Sequence, residues 1–327
     1  MKKFSSTLIL IAIFSTLLFS FKVFAEISPE QLKAKEKGIE LYNQFKAISA
    51  TPYLKIAAEA GDHEAQYYLA EALRKNNKYI TPEAQSAYEA SALQGDIYSM
   101  IRLAENSDDL CVAMENCPKS RKTPKEWLNM ATDAASAAAS KGDAEAMYLM
   151  FRITNDDTWL EKSAENGYAF AQHYLASGYQ GGKGFFLLPS SRAEVIERLM
   201  KSSAEGGYPQ GMMSYAAIRA RKKDFDTFRY WNEQAAKTGY ASAVFGYGSY
   251  LSENPSEFGF PHDLTKSYAL IYSLLELDGG GGVKDYAEDI LPEIATQMTA
   301  EQIETAKKLS KEWKESHPPL SYFPDKL

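Results

Sequence analysis

The sequence predicts an all-α protein, an αα-hairpin solenoid with a capping helix at each end. Three observations predict it: a glycine-centred motif recurs six times, the residues around each glycine keep helical spacing, and helix-capping signals flank the array. The glycines are Gly61, Gly95, Gly142, Gly167, Gly207 and Gly239. Three residues before each stands an alanine (Ala58, Ala92, Ala139, Ala164, Ala204, Ala236). Four residues after stands a small residue (Ala65, Ser99, Ala146, Ala171, Gly211, Ala243), and eight after a large one (Leu69, Leu103, Met150, Leu175, Tyr215, Tyr247). These offsets place apolar residues on one face of each of two helices broken at the glycine. Glycine takes a positive φ without steric cost and so ends the first helix. Asp62, Asp96 and Asp143 follow directly, where a carboxylate caps the second helix. A hairpin this small cannot bury its own face and has to stack on its neighbours.

Taken in chain order, residues 1–25 read as a secretory signal peptide. Lys2-Lys3 is the basic start, Phe4 to Phe21 is uncharged and mostly apolar, and Val23-Phe24-Ala25 puts small residues at the −3 and −1 positions of a cut before Glu26. The alternative is an uncleaved anchor, but six Ser and Thr residues dilute the run. Residues 26–50 form an N-terminal cap helix opened by Ser28-Pro-Glu-Gln31. Residues 51–262 hold the six repeats, with helix starts at Thr123-Pro-Lys-Glu126 and Ser191-Arg-Ala-Glu194. Residues 263–327 hold a degenerate seventh repeat from Tyr268 to Asp278, the Gly279–Gly282 run, a cap helix from Thr299, and a tail. The tail, with Pro318, Pro319 and Pro324, cannot be helical and is expected to pack over the last repeat.

The motif resembles the Sel1-like repeat, a relative of the tetratricopeptide repeat. It reads Ala57-Ala-Glu-Ala-Gly-Asp-His-Glu-Ala-Gln-Tyr-Tyr-Leu-Ala70 and recurs as Ser163-Ala-Glu-Asn-Gly-Tyr-Ala-Phe-Ala-Gln-His-Tyr-Leu-Ala176. The resemblance covers about residues 51–315 and implies a superhelix. The glycines lie 34, 47, 25, 40 and 32 residues apart, so the superhelix should be irregular.

Composition and charge exclude other classes. The chain carries 36 basic and 43 acidic residues. The first 25 residues hold three basic and no acidic ones, so the remainder stands at 33 against 43, a balance of −10. That argues against nucleic acid as a ligand, which needs a basic footprint. Cys111 and Cys117 close a short loop, and export to an oxidising compartment makes a disulfide the expected state. With four histidines and no further ligands near that loop, the sequence offers no metal site, and it implies no cofactor.

Reaction motifs were sought and not found: there is no Gly-x-Ser-x-Gly, no phosphate-binding Gly-x4-Gly-Lys and no His-Glu-x-x-His. Gly178–Gly184 falls where a second helix should end and reads as an inter-repeat loop, and His63 and His173 occupy different turns of the motif. No enzymatic activity is expected. Trp159 and Trp231 stand at core positions. Tyr168, Tyr208 and Tyr240, each just after a motif glycine, and the loop clusters Phe185-Phe186 and Phe258-Gly-Phe260 are candidate anchors for a protein partner.

Four stretches go beyond the generic repeat: Tyr79–Gln85, Asp109–Pro118, Leu274–Gly281 and the His317-Pro-Pro-Leu-Ser tail. They resemble the periplasmic Sel1-repeat immunity proteins paired with type VI secretion phospholipase effectors. That resemblance implies a monomeric periplasmic protein that sequesters a secreted lipase by stoichiometric binding. The alternatives are a scaffold or regulator of a cell-envelope enzyme or signalling complex and, from the enzyme class, a periplasmic hydrolase.

Overall fold

The computed structural model describes residues 27–105, 111, 114–118, 121–322 and 326. The expected signal peptide lies outside these residues. Among them are sixteen α-helices. Helix α1 (Pro29–Asn43) precedes six hairpins: α2 (Ala47–Glu59) with α3 (His63–Asn77), α4 (Pro82–Ala92) with α5 (Ile97–Glu105), α6 (Pro124–Ala139) with α7 (Ala144–Thr154), α8 (Asp157–Glu165) with α9 (Ala169–Gln180), α10 (Pro189–Glu205) with α11 (Pro209–Arg221), and α12 (Phe225–Lys237) with α13 (Ala241–Ser252). Three helices follow: α14 (Leu264–Ser273), continued by a 3-10 turn at Leu274–Glu276, α15 (Val283–Ala295) and α16 (Ala300–Ser316).

Each hairpin turns at its motif glycine, with φ between +79° at Gly239 and +100° at Gly95. Asp62, Asp96 and Asp143 cap α3, α5 and α7, accepting from the N–H groups of Ala65, Ser99 and Ala146 at 2.8, 2.8 and 3.0 Å. Capping boxes form at Ser28–Gln31, Thr123–Glu126 and Thr299–Gln302. The one expected at Ser191–Glu194 does not. Pro189 presets the helical φ two residues earlier, and the Ser191 hydroxyl instead donates to the Leu188 carbonyl at 2.7 Å. Helix α2 begins at Ala47, inside the stretch assigned to the N-terminal cap.

The packing explains the motif. All six alanines three before the glycine are buried, as are all six small residues four after it. At Gly211 an added Cβ would sit 2.2 Å from Ser203 Oγ and 2.7 Å from Ser203 Cβ, so facing helices touch there with no room for a methyl group. A further rule was not visible in the sequence. Ser91, Ser163 and Ser203, each four residues before a glycine, are fully buried and donate to the carbonyls of His63, Ala144 and Ala169 at 2.8, 2.6 and 2.7 Å. Each acceptor lies in the first turn of the preceding hairpin's second helix, so one serine hydroxyl stitches repeat to repeat. Buried apolar side chains form three successive clusters along the array.

The array curls until its ends meet. Lys46 forms an ion pair with Asp278 at 2.9 Å and donates to the Glu276 carbonyl, while Gly279 packs on the backbone of Gln44 and Phe45. The tail seals this seam. Ser321 N–H donates to Gly239 O at 3.0 Å and Ala241 N–H to Ser321 O at 2.9 Å. On the other side Tyr322 N–H donates to Asn43 O at 3.0 Å, and Gln44 Nε2 donates to Leu320 O at 3.0 Å.

Candidate functional site

The second helices of the first five hairpins, or the residues that cap them, bring Tyr68, Tyr98, Tyr148, Phe170 and Tyr208 to one cavity. Where the first three motif units place a capping aspartate, the last three place Tyr168, Tyr208 and Tyr240. Each tyrosine takes the cap position with extended backbone and makes no side-chain cap hydrogen bond. Forgoing a cap costs about 1 kcal/mol, so these positions are held for the ring. Tyr168 packs on Tyr148 and Phe170 at centroid distances of 5.8 and 6.1 Å. Tyr208 packs on Phe170 and His173 at 5.5 and 5.3 Å. Tyr240 sits at the seam, where its hydroxyl accepts from Gln210 Nε2 at 3.4 Å and its backbone bridges to Ser321. All three are half-buried.

Tyr168 and Tyr208, but not Tyr240, border an open cavity of about 560 Å³ together with Tyr68, Tyr98, Glu145 and Asn43. The Tyr98 hydroxyl donates to Glu145 Oε1. Burial, with Tyr168 and Glu145 beside it, pushes the Tyr98 phenol far above its ordinary value. The ammonium of Lys326 lies over the faces of Tyr98 and Tyr67, 5.0 and 5.9 Å from their centroids. A lysine held this way is attracted by the negative face of the ring.

Behind the wall lies a charge cluster that sequence reading missed. Glu71, 1% exposed, accepts from Tyr88 Oη at 2.6 Å and Arg102 Nε at 2.7 Å on Oε1, and from Arg74 Nη2 at 2.8 Å and Tyr42 Oη at 3.3 Å on Oε2. Burial alone would raise its pKa. The Arg102 charge, the Arg74 bond and charge, and the Tyr88 bond outweigh burial and hold the carboxyl below its ordinary value. The cluster fixes Tyr42 and Tyr88, and Tyr42 in turn packs edge-on against Tyr68 at 5.2 Å.

The other candidates separate by burial. The loop after α9 carries Phe185 at 89% and Leu187 at 84% exposure, while Phe186 folds back onto Tyr179 at 5.1 Å and under Arg192 at 4.6 Å. Arg192 also binds the carbonyls of Tyr179, Lys183 and Gly184, which makes residues 181–188 a braced inter-repeat loop. Phe260 presents no surface, and Phe258 is only partly exposed. Phe260 is 5% exposed and stacks on Tyr250 at 4.8 Å, and Phe258 is half-buried against Phe228 at 4.7 Å. The alternation of a two-residue step turns both rings toward the same aromatic cluster, so Phe260 serves the core. Trp231 is half-buried against Tyr215 at 6.1 Å, and Trp159 is half-buried beneath Lys162.

His63 is exposed, whereas His173 is half-buried with Nε2 at 3.3 Å from Ser214 Oγ and its pKa lowered by burial; the two share no site. Cys111 and Cys117 are joined as a disulfide, and Arg121 Nη1 lies 2.7 Å from Cys111 Sγ. Among the described residues no group of three or more His, Cys, Asp or Glu stands where it could hold a metal ion, and no helix is long and apolar enough to cross a membrane. The wall offers ring faces, the Glu145 carboxylate, the Asn43 side chain and backbone groups to a ligand.

No family model matches the chain, and no curated protein sequence matches it. Among solved structures it is similar to a protective antigen of uropathogenic Escherichia coli strains displaying an SLR fold, at 18% identity and a TM-score of 0.48 over 89% of this chain; the chain spans 62% of that protein's length. It is similar to a Sel1 repeat protein from Oxalobacter formigenes at 20% identity and a TM-score of 0.39, over 85% of this chain and 89% of the other. It is also similar to the immunity protein Pa5087 from Pseudomonas aeruginosa at 14% identity and a TM-score of 0.40, over 71% of this chain and 82% of the other. Such likenesses concern the course of the chain alone, and it is the six stacked hairpins of this molecule that make it an all-α solenoid.

Proposed function

We propose that the chain is an exported, protein-binding solenoid that neutralises a secreted phospholipase effector by forming a stoichiometric complex with it. One observation carries the binding part. Two successive hairpins exchange a helix cap for a tyrosine, Tyr168 and Tyr208, at the rim of one aromatic cavity, a surface whose chemistry is recognition. The choice of partner rests on the sequence stretches quoted above and on the acidic balance, which suits an effector with a basic face. The exposed loop apex at Phe185 and Leu187 offers a second apolar contact.

The test begins with the neighbouring genes: if one encodes a lipase, that lipase is directed to the periplasm and protection is scored with this protein supplied either exported or lacking residues 2–25. Protection should require export, and calorimetry should give one-to-one binding. Replacing Phe185 and Leu187 with serine should weaken that binding while leaving the melting temperature unchanged, because neither side chain is packed. Absence of binding at about micromolar concentration would end the immunity reading and favour the scaffold role. Turnover of phospholipid or peptidoglycan would favour the hydrolase.

A further inference from the structure

We propose that the inner cavity is a seat for a lysine or arginine side chain carried on an extended segment of the protein partner, and that Lys326 is the chain's own occupant of that seat. The proposal rests on the protein-binding reading and names the chemistry that the partner brings.

Three observations converge on it. The first is the seat itself: Lys326 stands over Tyr98 and Tyr67, with the Glu145 carboxylate bonded to the same Tyr98. Ring faces beside a carboxylate select a cation over an anion or a neutral group. The second is an unmet acceptor. Asn43 borders the cavity, and its side-chain oxygen is buried with no hydrogen-bond partner. A buried acceptor without a donor is costly, and an incoming N–H would satisfy it. The third is the way the chain already holds an extended strand beside the seat. Ser321 exchanges backbone hydrogen bonds with Gly239 and Ala241, and Tyr322 donates to Asn43 O. Backbone pairing that fixes an extended segment, with a pocket that reads one side chain, is a general mode of peptide recognition. The acidic balance of the chain favours encounter with a basic segment.

The occupant is held from one side only. Residues 320–322 are clasped by backbone bonds, whereas among the described residues Lys326 meets two ring faces and makes no ion pair. A partner's cation can therefore replace Lys326 while the clasp stays closed.

The experiment uses a chain ending at Tyr322, which keeps the clasp and removes Lys326. The probe is a fluorescent, end-blocked peptide of residues 323–327 (Phe-Pro-Asp-Lys-Leu), read by anisotropy. The shortened chain should bind it about tenfold more tightly than the full chain, with arginine accepted in place of the peptide's lysine and glutamate rejected. Full-length Lys326→Ala should bind like the shortened chain, and adding Tyr98→Leu to it should abolish binding without loss of helical circular dichroism. Equal affinity for the lysine and glutamate peptides, equal affinity of full and shortened chains, or no binding at all overturns the proposal. Because the probe is independent of any effector, a failed effector complex with a positive peptide result condemns only the choice of partner.

Discussion

Replacing Glu71 with glutamine is the most informative single perturbation of this molecule. The side chain keeps its shape, but one of its two acceptor oxygens becomes a donor. Either Tyr88 and Arg102 or Tyr42 and Arg74 then face an amide N–H group. Removing one partner of a buried ion pair typically costs about 3–5 kcal/mol, because the remaining charge loses its compensation. Arg74 and Arg102 retain side-chain exposures of 20% and 18%, so water relieves part of that loss. The expected cost is therefore at the lower end, about 3 kcal/mol at neutral pH. Urea unfolding followed by far-ultraviolet circular dichroism measures it, as a lower midpoint at unchanged slope if the array melts as one unit.

The pH dependence sharpens the test. The folded carboxyl titrates below its ordinary value, so its stabilisation is complete above 4.5 and disappears as pH falls through the lowered folded value. Glutamine does not titrate. The gap between the two proteins should accordingly be widest at neutral pH and narrow on acidification. A gap within about 0.5 kcal/mol at neutral pH, or one that stays constant into the acid range, would refute the reasoning.

Three further outcomes follow from the packing. Gly211→Ala should cost about 1–3 kcal/mol despite the gain in helix propensity, since its methyl would meet Ser203. Ser203→Gly loses its bond to the Ala169 carbonyl on its own account, and in melting curves the pair together should cost clearly less than the sum of the two single changes because the clash is gone. Gly239→Ala should loosen the tail, because its Cβ would lie 2.6 Å from Pro319 O, whereas Gly61→Ala meets nothing within 4 Å and bears only the strain of its positive φ. Limited proteolysis near residue 320 should separate the two variants, and equal cleavage would contradict the clasp. Reducing the Cys111–Cys117 bond should remove roughly 2 kcal/mol or less by the chain-entropy model and leave the helical signal in place; global unfolding under mild reductant would show that the loop supports the whole array.

What could be read in advance divides along one line. The glycine turns, the aspartate caps and the buried small residues each depend on a few neighbours in sequence, and a recurring pattern exposes them. The repeat-to-repeat serine bonds were equally periodic, yet serine at that position alternates with alanine at Ala57, Ala138 and Ala235, so it read as small rather than as a donor. Glu71 lies among Arg74, Lys75 and other polar residues, which on an isolated helix describe a solvated face. Its burial is decided by Arg102 from the next hairpin. Phe185 and Phe186 are adjacent and chemically identical, and only the loop path sends one outward and the other onto Tyr179. The Tyr168, Tyr208 and Tyr240 positions were legible as partners of the glycine turn, but that the first two share a cavity while Tyr240 falls at the seam depends on the curvature summed over several hairpins.

The closed seam changes how such a chain reaches its native state. An open stack of hairpins can nucleate anywhere and grow by neighbour contacts, and its outermost units fray because each lacks a neighbour on one side. Here Gln44 meets Leu320 across a sequence separation of 276 residues, a contact that no partly grown stack can make. Loop-closure entropy opposes that contact until the intervening hairpins are in place, so it belongs to the last step of assembly. Once made, it gives each terminal unit the neighbour it lacked. Amide exchange in α1 and α14 should then be as slow as in the middle hairpins, and a chain cut short by one hairpin should lose protection at both ends together. The molecule behaves less as a spring with two loose ends than as a split washer whose gap has been welded.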